Sequence, residues 1–376
     1  MSRILYILGL VLIFFSIIEL LPLIVDLVFK SDNWGVFFVC SFFTFFIGIA
    51  LVLAGSSRAK RLTTRDAYIL TALIWLIIPI IGSIPFIFSV DNISLVDSFF
   101  ETVSGLTTTG STIFRDLEVI QPGLLFWRSI LQWTGGVGII IMSIAIFPLL
   151  KVGGMQLMKT ESSGWGDKAL PRTSEIAIAI AIIYFILTIA CLIIYLICGM
   201  TFFDAINHSM TTVSTGGFST RNESFAYFDS VTIKFSAILF MILGALPFVL
   251  YVKIMTKNMS VIYGNNQVKF FIKFCVYIII TLTFWFWITT PQDLYEAFVF
   301  ASFNAVSIIT TTGFTSSEFS YWGSASLFVL ILAFSGGCSG SAAGSIKAFR
   351  YQLMLRFLGT QFNKLLHPHG VFLVRY

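Results

Sequence analysis

Thr107-Thr108-Thr109-Gly110-Ser111-Thr112 is a polar stretch in a chain that is otherwise strongly apolar. The pattern returns as Ser214-Thr215-Gly216-Gly217-Phe218 and as Thr310-Thr311-Thr312-Gly313-Phe314. A single Thr-Thr-Gly would read as an ordinary polar turn. Here each copy follows a long apolar segment and a shorter amphipathic one, and another long apolar segment comes after it. Repetition at an interval of about a hundred residues marks one supersecondary unit copied along the chain. Aligning the copies makes Gly217 the equivalent of Gly110 and Gly313, because this register also matches Phe218 to Phe314.

Three such loops at membrane depth need a physical reason. Irregular backbone is tolerated there only where it is buried in protein or lines a water-filled cavity. Carbonyl oxygens on such a loop can replace the hydration shell of a cation without a fixed charge. Glycine permits the dihedrals that turn successive carbonyls one way, and threonine and serine add hydroxyl oxygens. The C-terminal end of each short helix points at its loop, and its partial negative charge favours a cation. The expectation is a cation path, in fact a potassium-conducting pore, built from internal repeats.

Composition agrees. Of 376 residues, 57% are hydrophobic and 11% charged, against about 25% charged in soluble domains. A soluble enzyme is excluded, and no nucleophile–base pair, metal cluster or phosphate loop stands at usable spacing. The five cysteines are scattered through apolar segments and read as packing residues, and the net charge of +5 lies in loops, so it reports topology rather than nucleic acid. The apolar start at Ile4 is too long for a cleaved signal and lacks its cleavage chemistry.

A spanning helix needs about 20 apolar residues. The spans read as Ile4–Phe29, Trp34–Leu53, Ala67–Val90, Pro122–Leu150, Ile176–Met200, Val231–Val252, Phe270–Thr289 and a last segment from Tyr321 to Phe357. Ser94–Leu106, Phe203–Val213 and Gln292–Ile309 are the short helices ahead of the loops. Of 23 Lys and Arg, Lys30, Arg115, Arg128, Arg221 and Lys234 fall on one side of this topology and the rest on the other. The positive-inside rule then places both termini in the cytoplasm, with an even number of crossings and all three loops entering from outside. Within the spans, Asp26 near a helix end suits a snorkelling or capping role, and the deeper Glu19 suits a hydrogen-bonded partner in the bundle.

Longer motifs connect these pieces: Phe99-Phe100-Glu101 through Gly110, Gln132-Trp133-Thr134-Gly135-Gly136-Val137-Gly138, Lys151-Val152-Gly153-Gly154-Met155-Gln156-Leu157, Gly216 through Thr220, Gly336-Gly337-Cys338-Ser339-Gly340-Ser341 and Leu366-His367-Pro368. On these residues the chain resembles the membrane subunits of the Trk/Ktr/HKT family of potassium transporters, the TrkH type most of all. The resemblance implies an all-α polytopic membrane fold, with an N-terminal helix pair followed by tandem helix–pore helix–filter loop–helix repeats, three visible of an expected four. The divisions would be 1–56 for the helix pair, 57–172, 173–266 and 267–362 for the repeats, and 363–376 for the start of a fourth. A chain lacking that repeat is expected to be a fragment or a truncated reading frame.

The resemblance further implies a filter formed by Thr107, Thr108, Thr109, Gly110 and Ser111, by Ser214, Thr215, Gly216, Gly217 and Phe218, and by Thr310, Thr311, Thr312, Gly313 and Phe314. The potassium ion would be held at Thr108-Thr109, Thr215-Gly216 and Thr311-Thr312. Serine at a filter-glycine position goes with sodium permeation in this family; glycine at all three visible positions favours potassium. The implied setting is a bacterial cytoplasmic (inner) membrane, a homodimer in the lipid bilayer, a cytoplasmic nucleotide-binding regulatory subunit of the TrkA kind, no cofactor beyond the transported ion, and no nucleic acid. A symporter coupled to protons or sodium, or a non-conducting fragment, are the alternatives. Asp97, Glu101, Asp204, Asp293 and Glu296, toward the outer ends of the short helices, are expected to attract cations rather than relay protons.

The final apolar segment is interrupted mid-span by Ser335 to Ser345, with glycine at 336, 337, 340 and 344. Each costs about 1 kcal/mol relative to alanine in a helix, which favours a break over a small-residue packing face. In the resembled family this segment is a gate below the filter, here Gly336, Gly337, Ser339, Gly340, Ser341, Gly344 and the following Lys347. His208 reads as a hydrogen-bonded packing residue, and His367 and His369 as loop residues.

Overall fold

The computed structural model describes residues 2–55, 63–142, 173–256, 264–291, 293–317, 325–367 and 370. Its helices are α1 (Ser2–Phe29), α2 (Trp34–Ala54), α3 (Thr64–Ser89), α4 (Leu95–Leu106), α5 (Pro122–Ile141), α6 (Thr173–Ile197), α7 (Phe202–Val213), α8 (Val231–Ala245), α9 (Phe248–Thr256), α10 (Asn266–Thr289), α11 (Leu294–Ile309), α12 (Ala325–Leu332) and α13 (Ala348–Leu366). A two-residue parallel pair, β1 (Ser335–Gly336) with β2 (Ile346–Lys347), lies between α12 and α13. Six of the described helices are long and apolar enough to cross a membrane, or seven if the bent pair α8–α9 is one span. The Lys151–Leu157 motif, the basic residues Arg58, Lys60 and Arg61, Pro368 and His369 lie outside the described residues.

The chain divides into two compact units. The first comprises Met1–Ala177, Phe202–Thr211 and Phe218–Asn222. In it, α1 and α2 form a close hairpin: a Cβ on Gly9 would come within 2.6 Å of the Gly48 carbonyl oxygen. Small residues let helix backbones approach this closely where no hydrophobic drive separates protein from lipid. Phe15, Phe37, Phe86, Trp127 and Leu131 form the core, with the Trp127 indole donating to the Gly82 carbonyl at 3.0 Å. Phe14, Phe42, Phe43 and Phe46 are exposed, the pattern of a surface that meets lipid.

Asp26 does not snorkel. It is fully buried, and its Oδ1 accepts the Gly123 N–H at 2.8 Å. The chain enters α5 through Gln121 and Pro122, with no side-chain cap of its own; Asp26 from α1 supplies the missing acceptor for an orphan N–H of the first turn. Asp26→Ala should therefore cost about 1–2 kcal/mol, the usual loss for a removed cap, whereas Asp26→Asn keeps an acceptor and should stay near wild type. Thermal unfolding in detergent reads the difference. Glu19 is equally buried and lies beside Thr44.

The second unit comprises Ile178–Thr201, Thr212–Gly217 and Glu223–Tyr376. Its core is a helix pair. Phe271, Cys275, Ile278, Leu282 and Phe286 on α10 repeat at three and four residues and face Ala297, Ala301, Ala305 and Ile309 on α11. The cysteines among the described residues are free, and all but Cys198 are buried, as packing residues are.

Val231–Val252 is not the continuous span expected from its hydropathy. It breaks between α8 and α9, and the two helices meet at 88°. Pro247 has no N–H to donate, and it forces Leu246 out of the helical region, to φ −83° and ψ 157°. The carbonyls freed by the break find other donors. Tyr251 OH donates to Leu243 O, Ala342 N–H to Gly244 O and Cys338 N–H to Ala245 O. Such a break is tolerated at membrane depth because neighbouring protein satisfies the freed groups. The last apolar segment also breaks as its glycines suggest, with helix, among the described residues, over Ala325–Leu332 and Ala348–Leu366.

Candidate ion path

Each short helix ends at its threonine-rich loop, and the three loops share one backbone signature. Thr108, Thr215 and Thr311 have φ of 54°, 51° and 58°, and two residues later Gly110, Gly217 and Gly313 have φ of 80°, 82° and 84°. The signs fall in the register that aligns Gly217, not Gly216, with the other two glycines. Glycine adopts this region freely. A β-branched threonine there is a genuine outlier, and such strain, of order 1–3 kcal/mol per residue, persists only where the surroundings over-determine it.

Those surroundings are visible in the hydrogen bonds. In the first loop Thr109 N–H returns to Ser104 O, and the Ser104 hydroxyl donates to Ser111 O at 2.5 Å. In the third loop Thr312 N–H returns to Ser307 O, and the Ser307 hydroxyl donates to Phe314 O at 2.7 Å. The hydroxyls of Thr107 and Thr109 are paired at 2.7 Å, and those of Thr310 and Thr312 at 2.8 Å. In the second loop, Gly216 stands where the others have a threonine. Here Tyr195 OH pairs with Thr212 at 2.8 Å and Tyr184 bonds Ser214. The second and third loops touch: a Cβ on Gly217 would overlap the Thr312 carbonyl oxygen. Gly135 on α5 packs as closely on the end of α4, where a Cβ would overlap Leu106 O.

Nine residues before each loop glycine stands a polar side chain that holds the returning strand. Glu101 accepts the Ile113 N–H at 3.0 Å and lies 3.0 Å from the Thr112 hydroxyl. His208 Nε2 meets the Ser219 hydroxyl at 3.0 Å, and Asn304 bonds Ser316 through both amide atoms. Because His208 Nδ1 faces the Asp204 carbonyl, which can only accept, Nδ1 carries the proton and Nε2 accepts from Ser219. His208 is thus the packing residue expected. The three anchors escape sequence comparison because they share a position and a task but not a side chain.

Two of the five acids are not available to a cation. Glu101 is paired with Arg128 at 2.7 Å, both almost wholly buried, and Asp204 with Arg221 at 2.8 Å, with the Thr220 hydroxyl donating to Asp204 at 2.6 Å. An isolated charge in such a place is costly, so each acid is held by a base. Arg128 accordingly says nothing about topology as a loop charge. Asp97, Asp293 and Glu296 are exposed, and Asp97 and Asp293 serve the N-terminal turns of α4 and α11.

The glycine-rich segment forms a compact lobe closed by β1 and β2. Its Gly344 N–H donates to the Thr311 hydroxyl at 2.6 Å, so it touches the third loop directly. On its other side it is bonded to the α8–α9 bend: besides the two bonds to Gly244 and Ala245, Phe248 N–H donates to Gly340 O at 2.9 Å. Gly337 packs on Ala343 and Ala245, Gly336 against the Gly344 carbonyl, and the Ser341 hydroxyl donates to Cys338 O. Gly340 has φ 76°, and Ser339 precedes it in the same turn. Lys347 Nζ donates back to Ala343 O.

Comparisons with known proteins agree with this architecture. The family model TrkH, described as cation transport protein, matches residues 34–375. The chain is 38% identical to the Trk system potassium uptake protein TrkI of Halomonas elongata, over 100% of this chain and 76% of that protein. It is 35% identical to the Trk system potassium uptake protein TrkH of Escherichia coli, over 98% of this chain and 78% of that protein. The crystal structure of the potassium transporter TrkH from Vibrio parahaemolyticus superposes with a TM-score of 0.90 at 33% identity, covering 99% of this chain and 78% of that one. These are transport proteins rather than enzymes, and the all-α polytopic membrane fold read from the sequence stands with them. The chain belongs to the TrkH family of cation transport proteins.

Proposed function

We propose that this chain takes up potassium across a bacterial cytoplasmic membrane as the ion-conducting subunit of a Trk-type system. The observation that carries the reading is the recurrence of one strained signature, a left-handed threonine two residues before a left-handed glycine, in all three loops. Strain repeated at equivalent positions is a pointer to function rather than to folding. The ion is held by oxygens of Thr108-Thr109, Thr215-Gly216 and Thr311-Thr312, with the adjoining residues of each loop shaping the filter. The organisation is a helix pair over 1–56 followed by pore repeats over 57–172, 173–266 and 267–362. The chain works as a homodimer with a cytoplasmic nucleotide-binding regulatory subunit, and its N-terminus is cytoplasmic.

Uptake into a bacterium that lacks its own potassium transporters tests this, with potassium and sodium supplied in turn and with the proton gradient present and collapsed. Potassium uptake that survives collapse supports a conduit. Uptake that follows the proton gradient supports coupled transport, and uptake that ignores the identity of the ion refutes the filter.

The glycine-rich lobe is the gate of this conduit, moving against the third loop through the Gly344–Thr311 contact. Gly340→Ala combined with Gly344→Ala places one side chain at φ 76° and another 3.3 Å from the Thr311 hydroxyl. Flux should change about tenfold, as left-handed strain of 1–2 kcal/mol implies, while the preferred ion stays the same. Unaltered flux would remove the gate from this account.

A further inference from the structure

The geometry points to Arg128 and Gln132 as the positioning residues for the strand that leaves the second loop. In the first and third loops a pore-helix serine donates to the carbonyl just after the loop glycine. In the second loop the strand leaving Gly217 is held from α5. Gln132 Oε1 accepts the Phe218 N–H at 3.0 Å, and Arg128 Nη1 donates to Ser219 O at 3.0 Å. The guanidinium also lies over the Phe218 ring, 4.1 Å from its centroid. Its Nε donates to Glu101 at 2.7 Å, which neutralises the charge and fixes the plane of the fork.

One side chain thus spans the anchor of the first loop and the return strand of the second. Its planar fork is what makes this possible. A lysine can keep the charge pair with Glu101, but it is a point donor without a flat face, so it cannot also bond Ser219 and cover Phe218. This inference rests on the potassium-conduit reading and extends it: Arg128 and Gln132 set ion selectivity by holding Phe218 and Ser219, the start of the strand that leaves the second loop, without touching the ion.

The test uses the full-length gene product in the same transport-deficient bacterium, comparing Arg128→Lys and Gln132→Leu with wild type. Both variants should reach the membrane in wild-type amounts. The preference for potassium over sodium should fall about tenfold, which corresponds to ~1.4 kcal/mol, and the potassium concentration for half-maximal uptake should rise. A purely structural role would lower the amount of protein and leave the ion ratio alone. If Arg128→Lys does not accumulate, Gln132→Leu decides, because it leaves the ion pair intact. Variants as selective as a selective wild type overturn the inference and spare the functional reading. A wild type without potassium uptake overturns both.

Discussion

Replacing Gly217 with alanine should reduce potassium uptake to below a hundredth of wild type, whereas Gly313→Ala should retain about a tenth. Both glycines have φ near 80°, so both substitutions incur the left-handed penalty of about 1–2 kcal/mol. They differ in what the new methyl meets. At Gly313 no heavy atom lies within 4 Å; at Gly217 the Cβ overlaps the carbonyl oxygen of Thr312. That oxygen belongs to backbone and cannot rotate away, so one loop has to shift against the other. Displacements of about 1 Å in a positioned site cost on the order of a hundredfold in rate. Uptake assays on membranes with matched amounts of protein measure the two effects. Equal losses would mean that strain alone, not contact between the second and third loops, governs the filter.

Removing the Glu101 side chain should destabilise the protein by about 3–5 kcal/mol, the usual loss on breaking a buried ion pair. Arg128 is 1% exposed, so Glu101→Ala would leave a guanidinium in the interior with no counter-charge. The same change removes the acceptor of the Ile113 N–H and a partner of the Thr112 hydroxyl. Glu101→Gln is expected to fall between the two proteins, since an amide oxygen can still accept but the charge of Arg128 stays uncompensated. Unfolding in detergent, followed by the exposure of buried cysteines such as Cys40 and Cys275, gives the order: wild type, glutamine, alanine. An alanine variant as stable as wild type would contradict the burial argument.

The elements most legible in the sequence were those with a periodic or repeated signal. The apolar spans follow from length and hydropathy, and the short helices from their amphipathic faces. The loop register followed from matching hydroxyl and aromatic residues, and the φ angles of Thr215 and Gly217 fall in that register. The positive φ of the threonines was not legible, because a β-branched side chain argues against that conformation. The bend between α8 and α9 had a visible signal, Pro247, that a hydropathy window averages away. Proline at a break is tolerated only when donors wait for the freed carbonyls, and those donors, Cys338 and Ala342, lie some ninety residues further on. The fate of Glu101 and Asp204 was hidden for a similar reason. A carboxylate at the outer end of a short helix attracts cations if it is free, and which base claims it is decided by tertiary packing. The anchors Glu101, His208 and Asn304 do one task with three chemistries, so only their hydrogen bonds reveal them as equivalents.

In the proposed filter, loop oxygens rather than carboxylates hold the ion. The most direct measurement is the anomalous scattering of thallium or rubidium in crystals of the full-length protein. Peaks are expected beside the carbonyl and hydroxyl oxygens at Thr108-Thr109, Thr215-Gly216 and Thr311-Thr312, weakening when excess potassium is added. Peaks confined to the exposed acids Asp97, Asp293 and Glu296, with the three loops empty, would contradict the proposed filter.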